Sequence, residues 1–282
     1  MDTRIRQIRA LLEKLYARYN HRVCVPPDPL QFVYRHTERR DMEIAAFLAS
    51  ALAYGRVRQI ERSLTQLFDR MNFAPYDFTM RLNGTGRAAL RTFKHRFTTG
   101  GDIWDLLDLF RRILDDYGDL EAFFMQGDRR EHSTVLPALS AFCDSLCELY
   151  ADAHHGHTSS GLAYLLASPT RGSASKRLHL FLRWMVRHDE VDVGLWRSVD
   201  PARLIVPVDV HMARLCRILG LHNDKTTSLR TAIRITKAFA ELEPGDPVKY
   251  DFALSRIGIL ENCTGQYRPE CARCELSALC RS

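Results

Sequence analysis

Hydrophobic residues recur along most of the chain with the period of an amphipathic helix. An apolar residue at every third or fourth position is typical of a helix that buries one face. The clearest stripes are Leu11, Leu12, Leu15, Tyr19; Ile44, Phe47, Leu48, Ala51, Leu52; Ile60, Leu64, Leu67, Phe68, Met71; Ile103, Leu106, Leu107, Phe110, Ile113, Leu114; Leu136, Leu139, Phe142, Leu146, Leu149; and Leu178, Phe181, Leu182, Met185. The one β-branched run, residues 204–208, contains Pro207, which favours an extended connector over a strand. The sequence therefore predicts an all-α fold.

The composition is that of a globular protein with no membrane segment. The 282 residues are 46% hydrophobic and 26% charged, which is ordinary for globular domains. No stretch of 18 uncharged apolar residues occurs, so no membrane span is expected. The N-terminal residues are basic where an export signal needs an apolar core. We therefore expect a cytoplasmic protein.

The charge distribution points weakly to a polyanionic partner. The net charge is +6, and residues 169–188 contain five basic side chains and no acidic one. A second run, residues 225–240, contains four basic side chains and again no acid. Such runs favour contacts with nucleic-acid phosphates, although solvated helix faces explain each run equally well when it is taken alone.

Four cysteines close to the C-terminus have the composition of a metal-ligand set. Cys263, Cys271, Cys274 and Cys280 follow the spacing C-x7-C-x2-C-x5-C. Zinc sites usually take two close pairs of ligands separated by a longer spacer, whereas here a single close pair is flanked by two further cysteines. This arrangement favours a [4Fe–4S] cluster over zinc. Disulfides are the remaining alternative, but eight cysteines without a secretion signal indicate reduced thiols.

A short segment with proline and glycine, residues 168–173, precedes a helix predicted over residues 174–188. Ser173 is a suitable N-cap, which would place Lys176 in the first turn. The positive end of the helix dipole disfavours a lysine ammonium at this position. Lys176 is therefore either a solvated side chain or a nucleophile, since the same positive end favours the neutral amine that a nucleophile needs. The hairpin amides of Gly172 and Ser173, with Arg171 and Arg177, would form a seat for phosphate.

A second segment places a carboxylate at a helix start. Asp209 follows the proline-stiffened connector and precedes a helix that Gly220 should end. One interpretation is a purely structural N-cap. The other is a carboxylate that the helix amides keep ionised, available to stabilise a developing positive charge or to move a proton.

Together these segments resemble the helix-hairpin-helix superfamily of DNA base-excision glycosylases. VPVDVHMARLCRILGL resembles the superfamily's segment with the catalytic aspartate. YDFALSRIGILENC followed by TGQYRPECARCELSALC resembles the last helix and the iron–sulfur loop of the branch that includes endonuclease III and the adenine glycosylases. The resemblance covers the C-terminal part of the chain; upstream it rests on the helical pattern only.

The chain departs from the superfamily's pattern at three places. SPTRGS lacks the leucine and the first glycine of the usual Leu-Pro-Gly-x-Gly hairpin, and the first cysteine spacer is one residue longer than usual. Lys176 and Asp209 are 33 positions apart, a separation more similar to that of the archaeal 8-oxoguanine glycosylases. Lys176 therefore carries over less securely than Asp209, and the choice of base does not carry over.

The resemblance implies a two-lobed helical fold and a set of residue roles. One lobe would comprise residues 41–188, ending in the hairpin and the Lys176 helix, and the other residues 1–40 plus 189–282. A base would be flipped out of duplex DNA into the cleft between the lobes. Tyr54 would fill the vacated stack and Arg56 would lie near the opposite strand. Asp209 would stabilise the sugar cation and Lys176 would form a Schiff base.

The expected partner is double-stranded DNA with a lesion, bound by a monomer that works at the nucleoid. Three alternatives stay open. The first is a monofunctional glycosylase that uses Asp209 only, and the second is a non-catalytic iron–sulfur protein that binds DNA. The third is a zinc-stabilised helical interaction module. The cluster, if present, is expected to be structural and to hold Arg268 and Arg273 near phosphates.

Overall fold

The computed structural model describes residues 3–259 and 263–280, without the side chains of residues 171, 270, 278 and 279. Most of these residues are helical, so the all-α prediction is confirmed. The α-helices are α1 Thr3–Tyr19, α2 Arg39–Ala51, α3 Val57–Arg70, α4 Pro75–Met80, α5 Gly84–Leu90, α6 Gly100–Tyr117, α7 Leu120–Met125, α8 Leu136–Ala153, α9 Ser160–Leu166, α10 Lys176–Val186, α11 Val210–Ile218, α12 Leu229–Leu242, α13 Asp251–Ile259 and α14 Ser277–Cys280. Two short strands, β1 Lys94–His95 and β2 Thr98–Thr99, form an antiparallel hairpin.

The described residues divide into two compact units, each built from separate chain segments. Unit 1 takes those of Met1–Cys24, Gly172–Val193 and Val199–Ser282. Unit 2 takes Val25–Arg171 and Gly194–Ser198. These bounds differ from the expected lobes, because α10 belongs to the unit that contains Asp209 and residues 25–40 belong to the other unit.

Unit 2 is built around α2, which is buried on all sides. Every residue from Glu43 to Ala51 is inaccessible to solvent or nearly so. The Phe47 ring packs edge-on against Phe110 of α6, with 4.8 Å between ring centroids. A helix that is apolar all round belongs in the centre of a helical layer, and α2 has that position here. The helix ends at Ala51, and Gly55, with a left-handed φ of 101°, begins the turn to α3.

The β-hairpin of unit 2 was not expected from the sequence. β1 and β2 contain two residues each, with the pairs Lys94–Thr99 and His95–Thr98. Strands this short carry no readable alternation of polar and apolar residues, so their pattern is lost among the neighbouring helices.

Unit 1 packs α1, α10, α11, α12 and α13 around a core that includes Leu12, Leu15, Phe181, Trp184 and Phe252. The connector before α11 is buried as well: Val206 and Val208 are almost completely shielded. The Val206 amide, which lies outside any helix, donates to Thr236 Oγ1 at 3.0 Å. This hydrogen bond satisfies a buried backbone donor and fixes the point at which α11 begins.

No helix among the described residues combines the length and the apolar character that crossing a bilayer requires.

Candidate functional site

Asp209 caps the N-terminus of α11, as the sequence predicts. Its Oδ1 accepts hydrogen bonds from the backbone amides of His211 and Met212, both at 2.9 Å. These amides have no partner inside the helix, so the carboxylate satisfies them and interacts with the positive end of the helix dipole. The helix ends at Ile218, and Gly220 has a left-handed φ of 74°, as expected of the residue that ends it.

Lys176 is the partner of the second carboxylate oxygen. Its Nζ lies 2.7 Å from Asp209 Oδ2, and each side chain keeps about one third of its surface exposed, 33% in both cases. The two residues stand 33 positions apart in the chain, and the fold of unit 1 brings them into direct contact. The structure thus unites the two residues that the sequence singles out for chemistry.

The environment of Asp209 favours its ionised form. Burial by itself raises the pKa of this carboxyl, but the Lys176 ammonium and the hydrogen bond from it act in the opposite direction. The Met212 amide and the charge of His211 lower it as well, and the net result is a pKa below the usual range of an aspartate. At neutral pH Asp209 is therefore an anion held between an ammonium and a helix N-terminus.

The helix that carries Lys176 begins two residues later than expected. Ser175 is its N-cap residue and has a left-handed φ of 44°, so α10 starts at Lys176 itself. Ser173 does not cap the helix; its Oγ accepts from the Ser175 amide at 3.2 Å within the preceding turn. The sequence expectation that Ser173 caps this helix is wrong, because it assumed that Ser175 would take helical angles; Lys176 nevertheless lies in the first turn.

A buried ionic network fixes α10 within unit 1. Arg183 pairs with Asp192 at 3.2 Å and with Asp251 at the start of α13. Arg187 binds Asp192 too, and it pairs with Asp246 at 2.8 Å. The two arginine side chains are only 2% and 4% exposed, so their charges depend on these carboxylates. Sequence analysis missed this network, because the basic run of α10 was read as a surface feature.

The segment before α10 forms a tight turn, and along the chain unit 2 ends at Arg171 and unit 1 resumes at Gly172. Residues Pro169–Arg171 make a single turn of 3-10 helix, and Gly172 follows with a φ of 74°, which favours glycine. The carbonyl of Gly172 accepts from the amide of Leu229, at the first position of α12, over 3.4 Å. Gly172 and Ser173 are exposed, and Arg177 is half-buried as the second residue of α10. The side chain of Arg171, a predicted phosphate contact, lies outside the described part of the structure.

The four C-terminal cysteines lie in one loop of unit 1. Cys271 belongs to a 3-10 turn at Pro269–Arg273, Cys274 caps that turn, and Cys280 ends α14. The Arg268 amide donates to Cys271 Sγ at 3.3 Å. Burial raises the pKa of Cys274 and of Cys280, and the neighbouring cysteines raise it further in each case.

A cavity of about 530 Å³ adjoins this loop. Cys263, Cys271 and Cys274 line it, together with Arg18 of α1 and Arg268. Among the described residues, no three His, Cys, Asp or Glu side chains converge tightly enough to bind a single metal ion. The donor set, composed of thiols, and a cavity many times the roughly 30 Å³ of a water molecule together fit a cluster of several atoms.

The cysteine loop is joined to the helix of Asp209. Arg214 of α11 donates from Nη1 to the Cys263 carbonyl at 3.0 Å. A side chain at Gly265, where φ is 77°, would come within 2.7 Å of the Arg214 side chain. The loop and α11 are therefore in close contact. A ligand that orders the loop would also stabilise the helix that positions Asp209.

Tyr54 and Arg56, the predicted contacts with the DNA stack, lie in unit 2. Tyr54 is half-buried, and its hydroxyl lies 2.8 Å from the His95 carbonyl and 2.8 Å from Thr98 Oγ1. Its ring packs edge-on against His95 and Tyr164. Arg56 is exposed at the N-terminus of α3.

Comparison with known proteins identifies a family but no function. A family model described as "Protein of unknown function (DUF2400)" matches residues 28–260, and the chain belongs to this family. No curated protein and no solved structure gives a significant match. The family match includes Lys176 and Asp209 and ends before Cys263, so the four cysteines lie outside it.

Proposed function

We propose that the protein is a DNA glycosylase that removes a damaged or mispaired base from duplex DNA. The observation that carries this proposal is the contact between Lys176 Nζ and Asp209 Oδ2 at 2.7 Å. It joins an amine and an ionised carboxylate, the two groups that cleavage of a glycosidic bond with capture of the sugar requires. Both side chains remain one-third exposed, so a ligand can reach them.

Asp209 would act on the bond between the base and the sugar. As this bond breaks, its electron pair leaves with the base and positive charge develops on the sugar. A fixed carboxylate beside the sugar stabilises that charge without having to reorganise. The amides of His211 and Met212 hold one oxygen of Asp209 at 2.9 Å and so keep the other oxygen in place.

Lys176 would capture the sugar in a bifunctional enzyme. The departing base takes up the proton that the ammonium gives up, and the neutral amine then forms a bond to the sugar carbon C1′. A proton moves from the nitrogen to O4′ as the C1′–O4′ bond breaks, which opens the ring and gives a Schiff base. A C2′ proton is then lost to water, the C3′–O bond breaks and the 3′ phosphate leaves, which cleaves the strand. Hydrolysis of the Schiff base by water then frees Lys176, so the steps need only the protein, the DNA and water.

A monofunctional glycosylase is the second candidate, and the same ion pair favours it. An ammonium that donates a hydrogen bond to a carboxylate at 2.7 Å has no free electron pair for attack. In that case a water molecule would take the place of the amine at C1′, and Lys176 would orient Asp209 and contact a phosphate.

The DNA backbone would be held by two further segments of the chain. We propose that residues 168–173 and α10 form a divergent helix-hairpin-helix element, in which the amides of Gly172 and Ser173, with Arg171 and Arg177, bind phosphate. Cys263, Cys271, Cys274 and Cys280 would hold a [4Fe–4S] cluster, which would cross-link the loop that contains Arg268 and Arg273. The Arg214 contact would transmit that order to the helix of Asp209.

The test is base release from a panel of duplexes with oxidised, deaminated or mispaired bases, read as alkali-labile sites. Wild type should release at least one base, and Asp209→Asn should lower that rate by about 10²- to 10³-fold. Asparagine is as good an N-cap as aspartate, so folding should be retained. Asp200→Asn is the matched control, since Asp200 also caps a short helical turn in unit 1, through the Ala202 amide. Equal release by wild type and Asp209→Asn would remove Asp209 from the mechanism.

A further inference from the structure

The β-hairpin of unit 2 presents an aromatic side chain to solvent at its tip. Arg96 and Phe97 connect β1 to β2, and Arg96 has a left-handed φ of 52°. Phe97 is 68% exposed, and the half-exposed ring of Tyr164 from α9 lies edge-on to it at 5.9 Å between centroids. Single exposed apolar residues are common on protein surfaces, but two adjacent aromatic rings form a patch that requires an explanation.

Hydrogen bonds of His95 and Tyr54 fix the base of the hairpin. His95 is fully buried, with Nδ1 2.9 Å from Ser63 Oγ and Nε2 3.0 Å from the Tyr54 carbonyl. The Tyr54 hydroxyl donates to the His95 carbonyl on the other side. Tyr54 is therefore engaged in supporting the hairpin, and the ring that projects from this support is Phe97.

The surroundings of the tip are cationic. The Arg96 guanidinium lies 5.3 Å from the centroid of the Phe97 ring. Residues 78–101, which include the hairpin, contain five basic side chains and no acidic one. The turn after α2 adds Arg56 and the first turn of α3 adds Arg58, both exposed, and residues 44–60 have no acid either. An exposed ring beside the guanidinium of Arg96, in a segment rich in basic side chains, matches a ligand that has flat apolar faces and negative charges between them.

We infer that Phe97 and Tyr164, with Arg96 beside them, form a stacking surface for an unstacked base of the bound DNA. This inference rests on the proposed function in so far as a base that has lost its partner is what an excision enzyme creates. A nucleobase offers the flat face and its phosphates offer the charge, whereas an apolar peptide would leave the cations without partners. Phe97 thus takes the place in the DNA stack that the sequence resemblance gives to Tyr54.

The experiment measures binding rather than catalysis. The probe is a fluorescein-labelled duplex with one tetrahydrofuran abasic analogue, which leaves the opposite base without a partner; a fully paired duplex of the same sequence is the reference. Phe97→Ala should weaken anisotropy-measured binding to the abasic duplex by about 5- to 150-fold. Binding to the paired duplex should change much less, and Phe97→Trp should bind within several-fold of wild type.

Two controls separate stacking from charge and from general damage. Phe73→Ala removes another exposed phenylalanine of unit 2, 44% accessible, and should leave both affinities unchanged. Arg96→Gln should reduce the slope of log affinity against log salt by about 0.9, because one phosphate contact is lost. Phe97→Ala should leave that slope as it is.

The inference is overturned if Phe97→Ala binds the abasic duplex as tightly as wild type, or if it loses affinity equally for both duplexes. Its failure is distinct from failure of the proposed function. Base release by wild type with binding independent of Phe97 would overturn the stacking surface alone. Selective loss of binding in Phe97→Ala, with no base released from any duplex, would leave the stacking surface standing and overturn the glycosylase.

Discussion

Lys176 Nζ and Asp209 Oδ2, 2.7 Å apart, each belong to the first turn or the cap of a different helix. The positive end of α11 stabilises the carboxylate of Asp209, while the positive end of α10 opposes the ammonium of Lys176. The ammonium is therefore held in place by its neighbour and not by its own helix.

Removal of the amine gives the first prediction. Lys176→Ala should form no covalent adduct with DNA that contains an abasic site when borohydride is added, whereas wild type should be trapped if it is bifunctional. The measurement is the shifted protein–DNA band in a denaturing gel. Lys14→Ala is the control, since Lys14 is an exposed lysine of the same unit and should leave trapping intact.

The opposite outcome of this trapping experiment has a definite meaning. If wild type gives no adduct but releases bases as alkali-labile sites, the enzyme is monofunctional, and Lys176→Ala should then lower base release only in part. An adduct that persists in Lys176→Ala would show that another amine attacks the sugar, and would remove Lys176 from that role.

The sequence predicts that Asp209 caps a helix, but it does not predict the contact of Asp209 with Lys176. Asp209 is predictable as an N-cap, because an aspartate between an extended segment with proline and an amphipathic helix occupies the position where N-caps are found. Its contact with Lys176 depends on how α10 and α11 pack, which no local pattern encodes. The start of α10 was misplaced because the left-handed angles of Ser175 come from the surrounding turn, and serine gives no signal for them.

The same distinction holds for the rest of the chain. Apolar stripes predict the helices of both units, since burial of one face is a periodic property. The β-hairpin cannot be predicted in this way, because two residues per strand show no period. The exposed position of Phe97 at its tip is therefore not predictable either. The spacing of the four cysteines predicts a candidate set of metal ligands. The hydrogen bond from Arg214 of α11 to their loop, however, appears only in the folded chain.

The cysteine ligands give the second prediction. Cys274→Ser should lower the iron content of the purified protein from about four atoms per chain to a small fraction of that and abolish broad visible absorption, because a hydroxyl replaces a soft thiolate ligand. Cys24→Ser, at a half-buried cysteine elsewhere in unit 1, should retain both iron and colour. Zinc in place of iron in wild type would contradict the cluster and support a structural zinc site.

The buried pair Arg183–Asp251 gives the third prediction. The two side chains are 2% and 4% exposed, so Asp251→Asn leaves a buried guanidinium with one carboxylate fewer. We expect a loss of about 3–5 kcal/mol in the free energy of unfolding. Asp246→Asn is the matched control: Asp246 is 25% exposed, and Arg187 would keep Asp189 and Asp192 as partners, so the loss should be about 1 kcal/mol.

Urea unfolding of the two variants, followed by the loss of helical circular dichroism, checks the comparison. Equal losses for Asp251→Asn and Asp246→Asn would contradict the expectation that the more deeply buried carboxylate of the network contributes more to stability. Because Lys176 begins α10, Asp251→Asn should also lower base release more than Asp246→Asn does.

The pH dependence of unit 2 gives the last prediction, through Glu43. Burial raises the pKa of this carboxyl from 4.5 to about 7, even though the Leu120 amide and the Trp196 indole both donate to it. A folded pKa above the unfolded one means that the stabilising contribution is complete below pH 4.5 and is lost as the pH rises through 7. The difference of 2.5 units between 7 and 4.5 corresponds to about 3 kcal/mol at most.

Thermal unfolding should therefore show wild type losing stability between pH 5 and 8 relative to Glu43→Gln, which carries no titratable group there. Glu43→Gln itself should start about 1–3 kcal/mol lower at pH 5, because its amide nitrogen cannot accept one of the two hydrogen bonds. Glu38→Gln, at an exposed glutamate of the same unit, should follow the wild-type curve, and parallel curves for wild type and Glu43→Gln would exclude Glu43 as the titrating group.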